Sequence, residues 1–227
     1  MQLPVTLLQF ADGLFPAGAY AHSLGFESYV QAGAVRDANQ VEALLRTYLE
    51  GSAAPIDAVA ALCAAASARA GDLDSCLALD EMLDAIKVAE ELRAASRQMG
   101  RQTLRIAAHL TRDCLLTALD EAVKSDFTPG HHAVVFGMLG GILGWPGRET
   151  ACALLYAASA ALVGASLRLL PQGQLAGQTI LWNVGPLIER LAEESQHGRP
   201  EQLWNFTPAL EAAAMRHATI DGRLFRS

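Results

Sequence analysis

Charge is scarce in this chain. Only 18% of its 227 residues are Asp, Glu, Lys or Arg, against the roughly 25% usual in soluble domains. Lysine is nearly absent, two residues beside fifteen arginines. A formal charge of -7 and an isoelectric point near 5.3 exclude bulk electrostatic binding to nucleic acid or to an anionic membrane. β-branched residues are also few: 11 Val, 7 Ile and 10 Thr stand against 42 Ala and 34 Leu. Ala and Leu lose least on entering a helix, whereas β-branched side chains suit strands. A β fold is therefore excluded and an all-α fold predicted. The four cysteines, Cys63, Cys76, Cys114 and Cys152, lie 13, 38 and 38 positions apart without a C-x-x-C pair. That spacing fits neither a zinc site nor a small disulfide framework, so each is expected to pack as a small hydrophobe.

Catalytic signatures are missing too. There is no G-x-x-x-x-G-K-[ST] phosphate loop and no G-x-S-x-G elbow. The glycine-rich run Gly137-Met138-Leu139-Gly140-Gly141 lacks Lys and follows a helix-like stretch, so it reads as close helix packing. His131 and His132 are adjacent, which directs them about 100° apart on a helix, and the nearest carboxylate in sequence is Asp126. They make a weak metal site and carry the alternative reading, a helical metalloenzyme. Glu90-Glu91 and Glu193-Glu194 read as solvated helix faces. No cofactor is implied. The opening Met-Gln-Leu-Pro-Val has neither a basic n-region nor a small-residue cleavage site, so the expected location is cytoplasmic.

What the chain has is 52% hydrophobic residues, enough for a full core, placed very unevenly. Between residues 127 and 188 only Arg148, Glu149 and Arg168 are charged, three of 62. Residues 128–147 and 150–167 are long enough to raise the question of a membrane span, which needs roughly 20 apolar residues. The first is framed by Thr128-Pro129-Gly130 and Trp145-Pro146-Gly147, leaving about a dozen residues of helix. The second is largely Ala, Ser, Gly and Thr taken together, which gain little from lipid. A buried central helical hairpin is expected, with no membrane contact.

Val41, Leu44, Leu45, Tyr48 and Leu49 follow a 3-4-7-8 helical period, with Asp37 as the N-cap. Further helices are predicted over 56–70, 73–88, 90–124, 132–143, 148–170 and 173–195, separated by Gly and Pro breakers. With no internal repeat or linker, the chain should form a single-domain bundle over residues 1–227, of roughly eight to ten antiparallel helices. On a wheel of residues 90–112, Leu92, Ala95, Met99, Ile106 and Leu110 form a core stripe. Arg93, Arg97, Arg101, Arg105 and Arg112 face the other way without an acidic partner on their own helix. They suit either a solvated face or docking to an acidic partner.

Two segments look unusual for a structural bundle. Residues 14–27 place a Pro-x-Gly turn, aromatics and hydroxyls just before a helix. Residues 216–227 carry three arginines against one aspartate, with Leu224 and Phe225 between them. Such a tail suits ordering on a partner, the arginines steering and Phe225 anchoring.

Together these segments resemble the urease accessory protein UreF family. Five blocks carry the resemblance: Leu7-Leu8-Gln9 with Pro16-Ala17-Gly18-Ala19-Tyr20 and Ser23-Leu24-Gly25-Phe26-Glu27; Ala95-Ser96-Arg97-Gln98-Met99-Gly100-Arg101-Gln102; Val134-Val135-Phe136-Gly137; Ala165 to Gln174, including Arg168 and Gln172, with Gly177-Gln178; and Met215-Arg216-His217 with Arg223-Leu224-Phe225-Arg226-Ser227. The resemblance implies an all-α homodimer. It implies a non-catalytic adaptor that bridges UreD-bound (UreH-bound) apo-urease and the GTPase UreG during nickel insertion, the tail binding UreD. On these blocks the implied partner-binding residues are Pro16, Gly18, Tyr20, Ser23, Gly25, Glu27, Arg97, Gln98, Arg101, Arg168, Gln172, Gln178, Arg216, His217, Arg223, Leu224, Phe225 and Arg226. The chain departs from the family pattern at Ala218, where Glu is usual, at Asp221-Gly222, where a Tyr-Ser pair is usual, and at Ala21-His22.

Overall fold

A computed structural model describes residues 4–226. Residues 1–3, part of the opening stretch read above, and Ser227 of the tail lie outside the described residues. The elements are α1 (Val5–Ala11), α2 (Phe26–Gln31), α3 (Ala38–Tyr48), α4 (Val59–Arg69), α5 (Leu73–Ile86), α6 (Glu90–Thr111), α7 (Cys114–Lys124), α8 (His132–Ile142), α9 (Gly147–Leu169), α10 (Gln174–Ser195) and α11 (Pro208–His217), with no strand among the described residues.

Sequence and structure agree on where most helices begin. Asp37 caps α3 by accepting from the Gln40 amide at 3.0 Å, and Asp72 caps α5 in the same way through Ser75. Two boundaries differ from expectation. The helices predicted over 41–49 and 56–70 run together, because a π-helical stretch over Leu49–Ala58 joins α3 to α4 in a continuous helix over Ala38–Arg69. Pro55 sits inside that stretch. A proline ring clashes with the carbonyl four residues earlier in an α-helix, and the wider π spacing relieves the clash. The predicted 90–124 helix, in contrast, breaks. Arg112 turns left-handed at φ +54°, and the Asp113 carboxylate captures the Leu115 and Leu116 amides to start α7. With α3 and α4 joined, ten separate helices remain among the described residues, the short 3-10 turns not counted.

The charge-poor block supplies the centre. In α8, nine consecutive residues from Ala133 to Gly141 are buried, as expected of a helix enclosed on all sides. It does not pair with α9 as the predicted hairpin: α8 packs chiefly on α4, and α9 on α10. Glycine selects that partner. A Cβ on Gly137 would fall on the Ala61 carbonyl, and one on Gly141 on the Ala65 carbonyl. The glycine run thus serves close helix packing, as its composition predicted. One apolar cluster gathers around Phe10, Leu104, Phe136 and Trp145, and a second around Phe26, Leu45, Leu155 and Ile188. The helix over Ala38–Arg69 and α9 are long and apolar enough to cross a membrane by length and composition, and 61% and 50% of their most apolar windows are buried against the rest of the chain.

α6 shows a rotated stripe. Its buried residues are Ala95, Ser96, Gly100, Thr103, Leu104 and Ala107. Leu110 is exposed, and Leu92 and Met99 line an apolar cavity of about 230 Å³ between the segment around Phe10–Leu24 and α9. Small side chains win the inward position because α6 meets backbone there. A Cβ on Gly100 would fall on the Gly130 carbonyl. Of the cysteines, Cys76 is buried, Cys63 and Cys152 are half-buried and Cys114 is exposed, so the expectation of packed thiols fails at Cys114.

Candidate docking site

The two unusual segments meet. Gly18 (φ +89°) and Gly25 (φ +83°) take left-handed backbone that favours glycine. Between them the chain turns so that α2 lies against α11. A Cβ on Gly25 would come within 2.9 Å of the Ala214 nitrogen, and the Ser28 hydroxyl donates to the Ala213 carbonyl at 2.7 Å. This contact carries Glu27 into the interior, 2% exposed. There it faces His217, the last residue of α11, which is fully buried.

The His217 ring nitrogens lie 2.9 Å from a Glu27 oxygen and 2.7 Å from a Glu91 oxygen. The Glu27 carboxylate also accepts from the Leu224 amide at 2.8 Å and the Phe225 amide at 3.1 Å. The second Glu91 oxygen accepts from Arg223 at 3.3 Å. Burial pushes the Glu27 carboxyl up, but the Leu224 amide, the His217 ring and the Phe225 amide together outweigh it and hold the group below its usual range. A few residues away the Arg226 amide donates to the Ala21 carbonyl at 2.8 Å. The Arg168 guanidinium lies between two rings, 3.7 Å from the Tyr20 centroid and 4.1 Å from that of Phe225, and donates to the Tyr20 carbonyl at 2.8 Å.

So Tyr20, Ser23, Gly25, Glu27, Arg168, His217, Arg223, Leu224, Phe225 and Arg226 come together from three parts of the chain. Gln98 of α6 approaches the same turn beside Gly18. Their exposure differs from the sequence reading. Ser23, Gly25, Glu27, His217 and Phe225 are buried, whereas Tyr20 is 72% and Leu224 58% exposed. Pro16, Arg216, Arg223 and Arg226 are exposed as well. Phe225, expected to anchor a partner, is turned inward and Leu224 outward.

The remaining residues fall elsewhere. Arg97 is held bidentately by Asp84 of α5 at 2.7 Å. Arg101 donates to the Pro129 carbonyl at 3.2 Å and approaches Asp126. Arg93, read as lacking an acid on its own helix, pairs with Glu90 one turn away. Gln172 donates to Ser166 within its own segment, and Gln178 is exposed on α10.

His131 is buried beside Arg97. Its ring nitrogens lie 3.0 Å from the Ser96 hydroxyl and 2.9 Å from Asp84. Asp80, fully buried, accepts from Thr128 and from the Gly130 and His131 amides, which fixes the loop ahead of α8. His132 points away and packs on the Phe136 ring. Among the described residues no group of three or more His, Cys, Asp or Glu is placed to hold a metal ion, and both His131 nitrogens already face protein partners.

Sequence reasoning missed Glu91, Asp80 and Asp84. Glu91 was read as solvated, yet it lies four residues before Ala95 and seven before Gln98, on the side of α6 that turns toward the tail. That spacing was the available signal. Asp80 and Asp84 left none, since the partners of Asp80 lie 48 to 51 residues away and those of Asp84, Arg97 and His131, lie 13 and 47 residues away on other elements.

Comparison with known proteins is consistent along the whole chain. The family model UreF matches residues 35–185. A urease accessory protein UreF from Paenarthrobacter aurescens is 31% identical over 227 residues, covering 98% of this chain and 97% of its own. One from Actinobacillus pleuropneumoniae is 32% identical over 222 residues, 97% of each. One from a Bacillus species is 29% identical over 223 residues, 98% of each.

Proposed function

The chain belongs to the UreF family of urease accessory proteins, and from that premise we propose that it is a cytoplasmic, non-catalytic adaptor in nickel insertion. It bridges apo-urease bound to UreD (UreH) with the GTPase UreG. It acts as one domain whose tail, about residues 216–227, docks UreD, while UreG uses surface that includes the exposed part of the 16–27 turn. The observation that carries this reading is the composite patch in which Tyr20, Leu224, Arg216, Arg223 and Arg226 stand exposed around a buried joint. Arginine and aromatic side chains in such a setting are the residue types that dominate interface energetics.

The test is co-purification of apo-urease with UreD and this chain, full length or ending at Met215. Loss of the complex on truncation is the expected result, and unchanged recovery removes the tail from the mechanism. Homodimer formation belongs to the same proposal. Leu175 and Trp182, 81% and 84% exposed on α10, offer an apolar face for a second copy. Trp182→Asp should lower the mass measured by sedimentation to that of one chain, and an unaltered mass would place the dimer contact elsewhere.

A further inference from the structure

We infer that Glu27 and Glu91 are positioning residues for docking: they grip His217 from opposite sides and thereby set which side chains of the tail face a partner. The inference rests on the proposed docking role of the tail.

Three observations lead to it. First, a carboxylate only accepts hydrogen bonds, so a His217 ring placed 2.9 Å from Glu27 and 2.7 Å from Glu91 donates from both nitrogens. Such charge-assisted bonds are the strong kind, and the ring is fully buried between α2 and α6. Secondly, the same Glu27 carboxylate takes the backbone amides of two successive residues, Leu224 and Phe225. Holding consecutive amides fixes the local backbone, and with it the alternation that sends Phe225 in against Arg168 and Leu224 out. Thirdly, Glu91 reaches past His217 to Arg223, so the acid on α6 steers the arginine next to Leu224.

The partner therefore reads Leu224 flanked by Arg223 and Arg226, with Tyr20 alongside. Its complement is an apolar socket rimmed by carboxylates. Glu27 and Glu91 touch no partner themselves, yet a change at either should alter what the partner meets.

The experiment measures two things on the full chain: hydrogen exchange of the tail amides in the isolated protein, and affinity for purified UreD. Glu27→Gln keeps the shape and removes the charge. It should speed exchange at Leu224 and Phe225, leave amides of α4 and α8 as slow as before, and weaken UreD binding by about tenfold, the scale of one lost hydrogen bond to a charged group. Glu91→Gln, nearer the surface, serves where Glu27→Gln fails to fold, and should act in the same direction. Unchanged exchange at the two amides overturns the inference. So does normal UreD affinity in Glu27→Gln when the chain ending at Met215 does not bind. If that truncation binds as well as the full chain, the docking reading fails, while faster exchange in Glu27→Gln would still support the grip of Glu27 on the tail.

Discussion

Two joints in this molecule are built from opposite materials. Between α4 and α8 the contact is backbone on backbone: Gly137 and Gly141 leave no room for a Cβ over the carbonyls of Ala61 and Ala65. The residues that make this close approach, Gly137, Gly141, Ala61 and Ala65, carry no ionisable side chain. Between the tail and the body, Glu27, Glu91, His217 and Arg223 meet in a largely buried space, where each carboxylate takes a nitrogen of the same ring. The first joint is held by fit and dispersion, which are insensitive to pH and salt. The second is held by charges whose burial is tolerated only while all partners are present, since breaking one such pair strands the others. A bundle that must persist uses the first kind. A segment that has to offer a defined surface at its end can use the second.

The largest effect should come from the seam. Gly137→Ala gains helix propensity of about 1 kcal/mol, yet its methyl meets a carbonyl that cannot swing aside. A net loss of at least about 3 kcal/mol is expected in urea unfolding. A cost near zero would show that the helices part easily and would dissolve the contrast.

Acid comes next. Burial holds His132 near pKa 4, below its ordinary 6.5, and lowers His131 as well in spite of the nearby Asp80 and Asp84. The unfolded chain then takes up these protons first. Their stabilisation is complete above pH 6.5 and is lost as pH falls toward 4, His132 alone accounting for about 3 kcal/mol. Asp84, like Glu27, is pushed up by burial but held below its ordinary value, in its case by Arg97 and His131, so both extend the loss below pH 4. Urea midpoints at pH 7, 5.5 and 4.5 should fall in steps. A flat profile would mean that the two histidines titrate alike in the folded and the unfolded chain. Asp84→Asn, smaller again, should cost about 2 kcal/mol by weakening the bonds to Arg97 and His131.

The sequence made the first joint readable and hid the second. Ala and Leu excess, the glycine run and the Asp37 cap each act within a few residues, so pattern reveals them. The charge-poor block announced a buried centre, although its partner, α4, followed from which carbonyls face the glycines, and that is a tertiary matter. At the tail joint, residue types alone misassigned the direction of side chains. Phe225 has the chemistry of an anchor for a partner and serves as one for this chain's own Arg168. Glu91 has the chemistry of a solvated face and is bound to residues 126 and 132 positions away. Helical spacing limits what an acid can reach locally, but not which distant segment folds onto it. The π stretch was hidden for a similar reason, since Pro55 reads as a breaker until the backbone widens around it.

The smallest predicted effect separates holding from presenting. Arg223 is 40% exposed at its side chain and lies 3.3 Å from Glu91, the geometry of a solvent-screened pair. Arg223→Ala should change folding stability by no more than about 0.5 kcal/mol, because His217 still occupies the other Glu91 oxygen. If the tail is read by an acidic rim, the same substitution should slow association with UreD, and the difference from the unmodified chain should shrink as salt is raised, since exposed charges are screened within about 10 Å at 0.1 M ionic strength. Glu91→Gln should show the reverse balance, a larger loss in tail protection and less dependence on salt. Should both variants behave alike, Arg223 would belong to the joint itself, and the boundary between the part that holds and the part that is offered would move outward to Leu224 and Arg226.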